Sequence, residues 1–417
     1  MPVLETLPVE ILRQILGDLD CFDLHAITLV SCFFNSIGEP FLYASLGNYE
    51  GWLTPCLRAI VTRPALARHV RCVDFSWWME VDHPDSSYGE LFSATAKQLG
   101  LDATRSEETE PWSKEARALL LLHLLPNTKE IRINRSPLLN RFFESTLSTP
   151  IEDLPFKSLR RFQANEYTEQ SLVTPKLLLA LMRFPSLRDV VIDLQFAEDY
   201  THDASVIVGI TAFARQSPIT HLSLHFGNTT TSMLQHILQM PRALTDFSYA
   251  DDSRYPSTPD TTPLRSALRA LRHTLKSLSL GGLRALQLGQ PGQQTIGSLH
   301  DWPALTTIRC SLTALLGTRF TATCPLVDLL PMGIRELEVR RLDELSHLRS
   351  SSEWTVTEMT DQLVLVVLHR LKLVWLHVDT CSVRYTVETG WVNKYEAEVK
   401  ERLVVACGAR PLIVVVS

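Results

Sequence analysis

A short apolar motif that recurs along the last three quarters of the chain sets the strongest limit on its fold. Nine segments carry the pattern L-x-x-L-x-L or a close variant of it. They begin at Pro126, Lys157, Pro185, Ser217, Pro241, His273, Pro303, Met332 and Lys372. The last two apolar residues of the motif are two positions apart, so in a strand both side chains point to the same face. Each segment therefore predicts one short strand with a buried face.

The chain between these strands predicts helices. Most strands begin about 24 to 32 residues apart, and the last interval approaches 40 residues. Apolar residues recur there with helical spacing, which predicts helices over 115–125, 176–184, 206–215, 233–240 and 264–271. A single strand–helix unit leaves apolar faces open on both sides, so neighbouring units must stack. The fold class predicted is α/β, as a solenoid with parallel strands on a concave face and helices on a convex face. An ordinary α/β domain has units of similar length and is the alternative.

Residues 7–46 form a second informative stretch, which predicts three short amphipathic helices. Pro8 suits the first turn of the first helix, because its missing N–H needs no partner there. Asp23 is the predicted N-cap of the second helix. The apolar stripe of that helix is predicted to comprise Leu24, Ile27, Val30, Phe34 and Ile37. Pro40 is predicted to begin the third, with Leu46 on its inner side. Forty residues bury too little surface to be stable alone, so these helices need a partner surface in the rest of the chain or in another protein.

The same stretch resembles the F-box. The family pattern runs through Leu-Pro, an acid, a Leu/Ile-rich helix, Asp-Leu, Val-Ser, an aromatic residue, Pro and Leu-Tyr. This chain matches it in order with Leu7, Pro8, Glu10, Ile11 to Leu16, Asp23, Leu24, Val30, Ser31, Phe34, Pro40, Leu42 and Tyr43. It departs at Cys32 and Phe33, where many F-boxes carry a basic residue after Val-Ser.

The resemblance implies docking on a Skp-type adaptor and, through it, on the cullin of a ubiquitin ligase. The implied adaptor contacts are Leu7, Pro8, Ile11, Leu12, Ile15, Leu16, Leu24, Val30, Phe34, Ile37, Pro40, Leu42 and Tyr43. The repeats are similar to the divergent leucine-rich repeats of fungal-type F-box proteins, because their period lies at and just beyond the usual range of about 20 to 29 residues. Asn134 and Asn165 are the only obvious counterparts of the asparagine that many such repeats carry.

Three regions follow from these features. Residues 1–50 are the F-box, and 51–114 hold linking helices, a first strand and an acidic insertion that contains tryptophans. Residues 115–417 are the leucine-rich-repeat-like solenoid, with a helix over 394–406 and a strand over 412–416 as its C-terminal cap. The insertion, from about Trp77 to Trp112, is either a solvated loop or an arm that binds a partner.

Side chains that flank the inward pair of each strand face solvent and form the candidate surface for a target protein. The candidates are Arg309, Glu336, Glu338, Arg340, Trp375, His377 and Asp379. Trp375 is the most suggestive of them, because aromatic residues with charged neighbours are frequent at binding hot spots. The alternative is that a neighbouring loop covers Trp375.

Composition excludes several classes of protein. The net charge of −6 argues against a general affinity for nucleic acid. No run of eighteen uninterrupted apolar residues occurs, so no membrane span is predicted. The acidic first twenty residues do not match a signal peptide, and we expect a cytoplasmic or nuclear protein. The eight cysteines form no C-x-x-C pair, which is typical of reduced core residues.

Motifs of common catalytic sites are missing from the sequence. It contains no G-x-S-x-G, no phosphate-binding G-x-x-x-x-G-K-[ST], no H-E-x-x-H and no G-x-G-x-x-G. His221 and His225 share a strand face, where an exposed polar stripe is a simpler interpretation than a metal site. We therefore expect no enzyme activity, no metal and no other cofactor. What the resemblance implies is a substrate-receptor subunit of a Skp/cullin/F-box ubiquitin ligase, with an adaptor-binding scaffold that does not direct ubiquitination as the alternative.

Overall fold

The computed structural model describes most of the first two thirds of the chain and shorter stretches beyond it. These are residues 7–47, 51–75, 88–101, 113–133, 137–164, 175–195, 211–227, 231–251, 262–281, 296–310, 315, 326–339, 374–378 and 412–416. The chain divides into two compact units. The first comprises residues 1–171 and 176–191, and the second comprises 172–175 and 192–417.

Three short helices open the first unit: α1 (Val9–Gly17), α2 (Cys21–Thr28) and α3 (Cys32–Leu42). Three helices were predicted here, but the predicted second helix spans both α2 and α3, and no helix begins at Pro40. Asp20, not Asp23, is the N-cap of α2, and its carboxylate accepts hydrogen bonds from the N–H groups of Phe22 and Asp23, each at 2.9 Å. Ser31 caps α3, so Pro40 lies inside that helix instead of beginning it. Both caps occur at side chains that can satisfy the free N–H groups of a first turn.

The remainder of the first unit alternates helices with parallel strands. Its elements are β1 (Ser45–Leu46), α4 (Leu53–Thr62), a 3-10 helix (Pro64–Arg68), β2 (Cys72–Phe75), α5 (Gly89–Gln98), α6 (Lys114–Leu124), β3 (Glu130–Ile133), α7 (Pro137–Ser145), 3-10 turns at Thr146–Ser148 and Ile151–Asp153, β4 (Arg161–Ala164) and α8 (Pro175–Met182). The strand β5 (Asp189–Gln195) begins in this unit. Leu46, predicted for a helix, is buried in β1, which pairs with β2.

Strand order in the first unit follows sequence order. The register aligns Val73 with Ile131 and Ile131 with Phe162. Gly47, which follows β1, has φ +119°, and a Cβ there would lie 2.3 Å from the carbonyl oxygen of Asp74. Only glycine fits such a position without strain, so the chain leaves β1 directly beside β2.

The second unit continues the same alternation. Its described elements are β6 (His221–Gly227), α9 (Thr231–Gln239), β7 (Asp246–Asp251), α10 (Thr262–Arg269), β8 (Ser277–Gly281), β9 (Thr307–Cys310), α11 (Leu326–Leu329), β10 (Glu336–Val339), β11 (Val374–Val378) and β12 (Leu412–Val416). Strands β6 to β10 are parallel and also follow one another in sequence order. Strands β11 and β12 pair in parallel as a two-stranded sheet, so the predicted strand over 412–416 is confirmed.

The predicted inward pairs form the core of both units. Ile131 and Ile133 are buried in β3, and Leu222 and Leu224 are buried in β6. Helix and strand periodicities thus agree with the predicted α/β class, and the parallel order is compatible with a solenoid. Among the described residues, no helix is long and apolar enough to cross a membrane.

Several predicted features lie outside the described residues. They are the helix over 394–406, most of the helix over 206–215, both asparagines of the repeats, and the parts of the insertion at 76–87 and 102–112. Between those two parts of the insertion the structure describes the helix α5.

Candidate functional site: two interaction surfaces

The N-terminal helices enclose a small core of their own. Leu12, Leu16, Leu24, Phe34 and Ile37 are buried, and Val9, Leu19, Ile27, Phe41 and Leu42 pack against them. Helices α2 and α3 approach closely, because a Cβ at Gly38 would lie 2.8 Å from the Cγ2 of Thr28. Asn35 Nδ2 also donates a hydrogen bond to the carbonyl oxygen of Thr28 at 3.3 Å. The three helices are therefore held together by their own side chains.

The same helices leave an unusual amount of apolar surface in contact with solvent. Of the ten exposed large apolar side chains in the described part of the chain, seven lie between residues 7 and 33. They are Leu7, Ile11, Ile15, Phe22, Leu29, Val30 and Phe33, and we call them the N-terminal apolar surface. Scattered exposed apolar residues are ordinary, so the notable feature is their concentration in one short stretch of the chain.

Helical geometry explains this division in α1. Leu12 and Leu16 are four residues apart and lie on the core side. Ile11 and Ile15 are also four residues apart, and they form a second line along α1 that stays exposed, whereas Leu7 precedes the helix. In the turn between α2 and α3, Leu29 and Val30 are about 70% exposed, at 72% and 68%.

The residues predicted to contact an adaptor therefore separate into two sets. Leu7, Pro8, Ile11, Ile15 and Val30 are exposed. A second group is buried in the bundle: Leu12, Leu16, Leu24, Phe34 and Ile37. Pro40, Leu42 and Tyr43 are half-buried. A buried side chain shapes the surface but cannot itself contact a partner while the bundle is folded.

Sequence reasoning missed three members of the N-terminal apolar surface: Phe22, Leu29 and Phe33. The predicted second helix runs through the turn between α2 and α3 and places Val30 and Phe34 on one apolar stripe, so these three residues were not recognised as exposed. In the structure the N-cap Ser31 divides that stripe between two helices. Recognising Ser31 as an N-cap would have been the signal for the break.

The outward face of the first unit's strands carries charges that neutralise one another. Arg132 lies 2.7 Å from Glu130 and 3.4 Å from Asp74. Arg161 lies 3.8 Å from Glu130 and 3.3 Å from Asp189. These five side chains come from four consecutive strands, and each arginine lies near two acids on that face.

The outward face of the second unit contains part of the predicted target surface. Arg309 and Glu338 are in register on β9 and β10 and form an ion pair of 3.0 Å. Glu336 accepts a hydrogen bond from Thr307 Oγ1 at 3.4 Å. The structure thus brings three predicted residues, Arg309, Glu336 and Glu338, together on neighbouring strands.

The other predicted residues of that surface are described less fully. Trp375 and His377 belong to β11, whose backbone pairs with β12, and their side chains lie outside the description. Arg340 and Asp379 lie outside the described residues altogether. The predicted patch around Trp375 stays a prediction.

Burial raises the pKa of two titratable groups near these surfaces. Burial, followed by the charge of Glu130, raises the pKa of the Cys72 thiol, so that thiol stays protonated and is a poor nucleophile. Burial also raises the pKa of Tyr43.

His221 lies 3.0 Å from Asp246, and His225 lies 3.3 Å from the hydroxyl of Ser223, so the two histidines have separate partners. No group of three or more metal-ligating side chains occurs in the part of the chain that the structure describes.

Comparison with known proteins adds no assignment. No protein-family model matches the chain, and no curated protein matches it either.

Proposed function

We propose that this chain is the substrate-receptor subunit of a Skp/cullin/F-box ubiquitin ligase. In this proposal the N-terminal apolar surface docks on the Skp-type adaptor, and the strand–helix units bind a target protein. The receptor itself performs no chemistry. It holds the target near the ubiquitin carrier and so raises their effective concentration.

The observation that carries the proposal is the exposure of seven large apolar side chains on a bundle that already has a closed core. Each apolar side chain that a partner fully covers contributes about 1.5–3 kcal/mol. A bundle that needed these residues for its own stability would bury them. Four of the seven, at positions 7, 11, 15 and 30, hold places of the F-box pattern, and their exposure is the feature expected of a surface kept for another protein.

The target-binding part of the proposal rests on the repeated units. Parallel strands in sequence order, each followed by a helix, are what a leucine-rich-repeat solenoid requires. In such a solenoid the outward side chains of successive strands lie on one extended face. Arg309, Glu336 and Glu338 are the described members of the candidate target surface.

Binding of a purified Skp-type adaptor tests the docking step. Ile11→Asp replaces a side chain that is 45% exposed, and Ile151→Asp is a matched control in the same unit at 44% exposure. We expect Ile11→Asp to weaken adaptor binding about tenfold or more, as for an interface hot spot. Thermal unfolding should be unchanged in both variants, whereas Leu12→Ala lowers stability because Leu12 is buried. Equal adaptor binding by the two aspartate variants would refute docking through this surface.

Reconstitution of the ligase separates the receptor from the scaffold alternative. The proteins that co-purify with the full chain are supplied to the complete ligase together with ubiquitin and its carrier. Modification of a bound protein supports the receptor. Adaptor binding combined with an unmodified bound protein supports the scaffold.

A further inference from the structure

Small side chains cover one part of the outward strand face of the second unit. Side chains alternate along a strand, and Leu278 and Leu280 of β8 are buried in the core. Ser277 and Ser279 therefore face outward. The register of β7 with β8 places further small residues beside them. We call the whole group the serine floor, and it comprises Ser248, Ala250, Ser277, Ser279 and Gly281.

The hydroxyl group of Ser279 is buried in this floor without a partner. Ser279 is 8% exposed, and the described residues provide no hydrogen bond to its hydroxyl. The hydroxyls of Ser248 and Ser277, which are half-buried, also lack a partner among the described residues. A polar group that is buried without a partner lowers stability. Three such hydroxyls side by side therefore indicate groups that are kept available for a ligand.

The outward face of the first unit shows that such a face can be closed by its own side chains. Arg132 and Arg161 reach acids on neighbouring strands there, at 3.4 and 3.3 Å. The short side chains of the serine floor make no such links within the described part of the chain. The fold therefore does not require that the polar groups of this face stay open.

The charged side chains beside the serine floor already contact one another. His221 of β6 lies 3.0 Å from Asp246 on one side, and Arg309 of β9 lies 3.0 Å from Glu338 on the other side. The floor between them consists of uncharged side chains. A hydroxyl group both donates and accepts hydrogen bonds, so the serine floor fits a ligand with neutral donors and acceptors better than a chain of phosphates.

The spacing of the serines matches an extended peptide that lies along the strands. Ser277 and Ser279 are two residues apart on β8, which corresponds to about 6.6 Å. An extended peptide that lies edge-on presents the N–H and C=O groups of every second residue at the same repeat. Residues without long side chains, glycine above all, let another backbone approach closely. Both the spacing and the small side chains therefore suit the main chain of a peptide.

We propose that the serine floor binds a short extended segment of a partner protein through the main chain of that segment. The inference deepens the proposed receptor function, because it locates the bound segment on β7 and β8 and gives the chemistry by which it is recognised. It rests on that function only for the fate of the partner. Binding to the serine floor requires no adaptor, so the two proposals fail separately.

Thermal unfolding of the full chain tests whether the hydroxyl of Ser279 serves the fold. Because the described residues leave this hydroxyl without a partner, we expect Ser279→Ala to keep or raise the Tm. The comparison is Thr128→Val, which removes a buried hydroxyl that donates to the carbonyl oxygen of Leu125 at 3.1 Å and should lower the Tm. A fall in Tm for Ser279→Ala as large as that for Thr128→Val would overturn the inference.

Fluorescence anisotropy with the full chain tests recognition of a main chain. The probe is a labelled hexapeptide of alternating threonine and valine with blocked ends, which is uncharged and favours an extended backbone. The same peptide N-methylated at its four central residues lacks their N–H donors. A labelled single-stranded oligonucleotide with six phosphates completes the set of probes.

We expect the unmodified hexapeptide to bind and the N-methylated peptide not to bind. The double variant Ser248→Ala/Ser279→Ala should weaken binding about tenfold, from the loss of two hydrogen bonds. Ser45→Ala, at an exposed serine of β1, is the matched control and should stay within about twofold. Adaptor binding should be unchanged in both variants.

Four results of the binding experiment would each overturn the inference. They are absence of binding by the unmodified hexapeptide, equal binding of the N-methylated peptide, an equal loss of affinity in the double variant and the control, and tighter binding of the oligonucleotide than of the hexapeptide. None of them depends on the adaptor, so each is separate from a failure of the docking step.

Discussion

At the scale of single residues, Arg183 binds the 3-10 turn that follows α7. Its guanidinium donates to the carbonyl oxygens of Thr146, Leu147 and Thr149, at 2.6, 2.6 and 2.7 Å. All three carbonyl groups belong to the 3-10 turn Thr146–Ser148 or to the residue that ends it, so one side chain holds this turn at three points.

Replacement of Arg183 by methionine keeps the apolar stem and removes all three hydrogen bonds. A hydrogen bond to a charged group contributes about 1.5–3 kcal/mol, and we expect a total loss of about 3 kcal/mol in the free energy of unfolding. The measurement is urea denaturation. Arg141→Met, at an exposed position of α7, is the control and should change stability by less than about 0.5 kcal/mol. Similar losses in the two variants would show that the three hydrogen bonds contribute nothing specific.

The pKa of His69 reports the charges of the residues around it. Burial lowers its pKa below the usual value, the charges of Arg68 and Arg71 lower it further, and Glu39 opposes them. Arg68 Nε also donates to His69 Nε2 at 3.2 Å, which requires a neutral ring. We expect Arg68→Gln to raise the pKa of His69 and Glu39→Gln to lower it, as measured by NMR titration. Shifts of the same sign in both variants would contradict this account.

The same shift makes stability depend on pH in a defined direction. The folded-state pKa of His69 lies below its unfolded value of about 6.5. The stabilisation from a neutral His69 is therefore complete above about pH 6.5, and it is lost as the pH falls from there through the folded-state pKa. The variant His69→Gln lacks this titration. Its free energy of unfolding, taken from denaturation curves, should therefore fall less on acidification than that of the unchanged protein.

At the scale of elements, the beginning of α2 distinguishes two nearby acids. Asp20 accepts two backbone hydrogen bonds as N-cap, whereas Asp23 stands in the first turn. We expect Asp20→Ala to lower the stability of the N-terminal helices by about 1 kcal/mol. Asp23→Ala should cost less, because it loses only an interaction with the helix dipole of about 0.3–1 kcal/mol.

Hydrogen exchange at the amides of Phe22 and Asp23 measures this difference directly. Faster exchange at both amides in Asp20→Ala, with little change in Asp23→Ala at Phe22, is the expected result. The opposite ranking would restore the cap that the sequence pattern predicted.

At the scale of the whole molecule, the question is whether the strand–helix repeats stack as a solenoid or fold as one cooperative α/β domain. Phe247 is buried in β7, between β6 and β8. Phe247→Leu should cost about 1–2 kcal/mol. In a solenoid each strand–helix repeat contacts only its neighbours. In the Phe247→Leu variant, amide exchange should therefore increase most in β6, β7 and β8 and least in β10. Hydrogen exchange read by mass spectrometry gives this profile, and a uniform increase across the second unit would favour the cooperative domain.

Prediction succeeded where a pattern is local. Alternation at Ile131 and Ile133, or at Leu222 and Leu224, was enough to place strands and their buried faces, because a strand has only two faces. It failed at the caps, since Asp20 and Asp23 are chemically identical and only the path of the backbone decides which one accepts the N–H groups. It also merged α2 and α3, since an apolar stripe does not show that the chain turns at Ser31.

The sequence by itself determined the alternation of helices and short strands, because side-chain periodicity is a property of neighbouring residues. It also placed most apolar residues of the first three helices. Only the tertiary structure decided that Leu12 and Leu16 are buried while Ile11 and Ile15 stay exposed, since both pairs have the same spacing and the choice depends on which face meets the core. The ion pairs on the outward strand face likewise exist only in the folded chain, because neighbouring parallel strands bring Arg132 to Asp74 and Arg161 to Asp189, which lie far apart in the sequence.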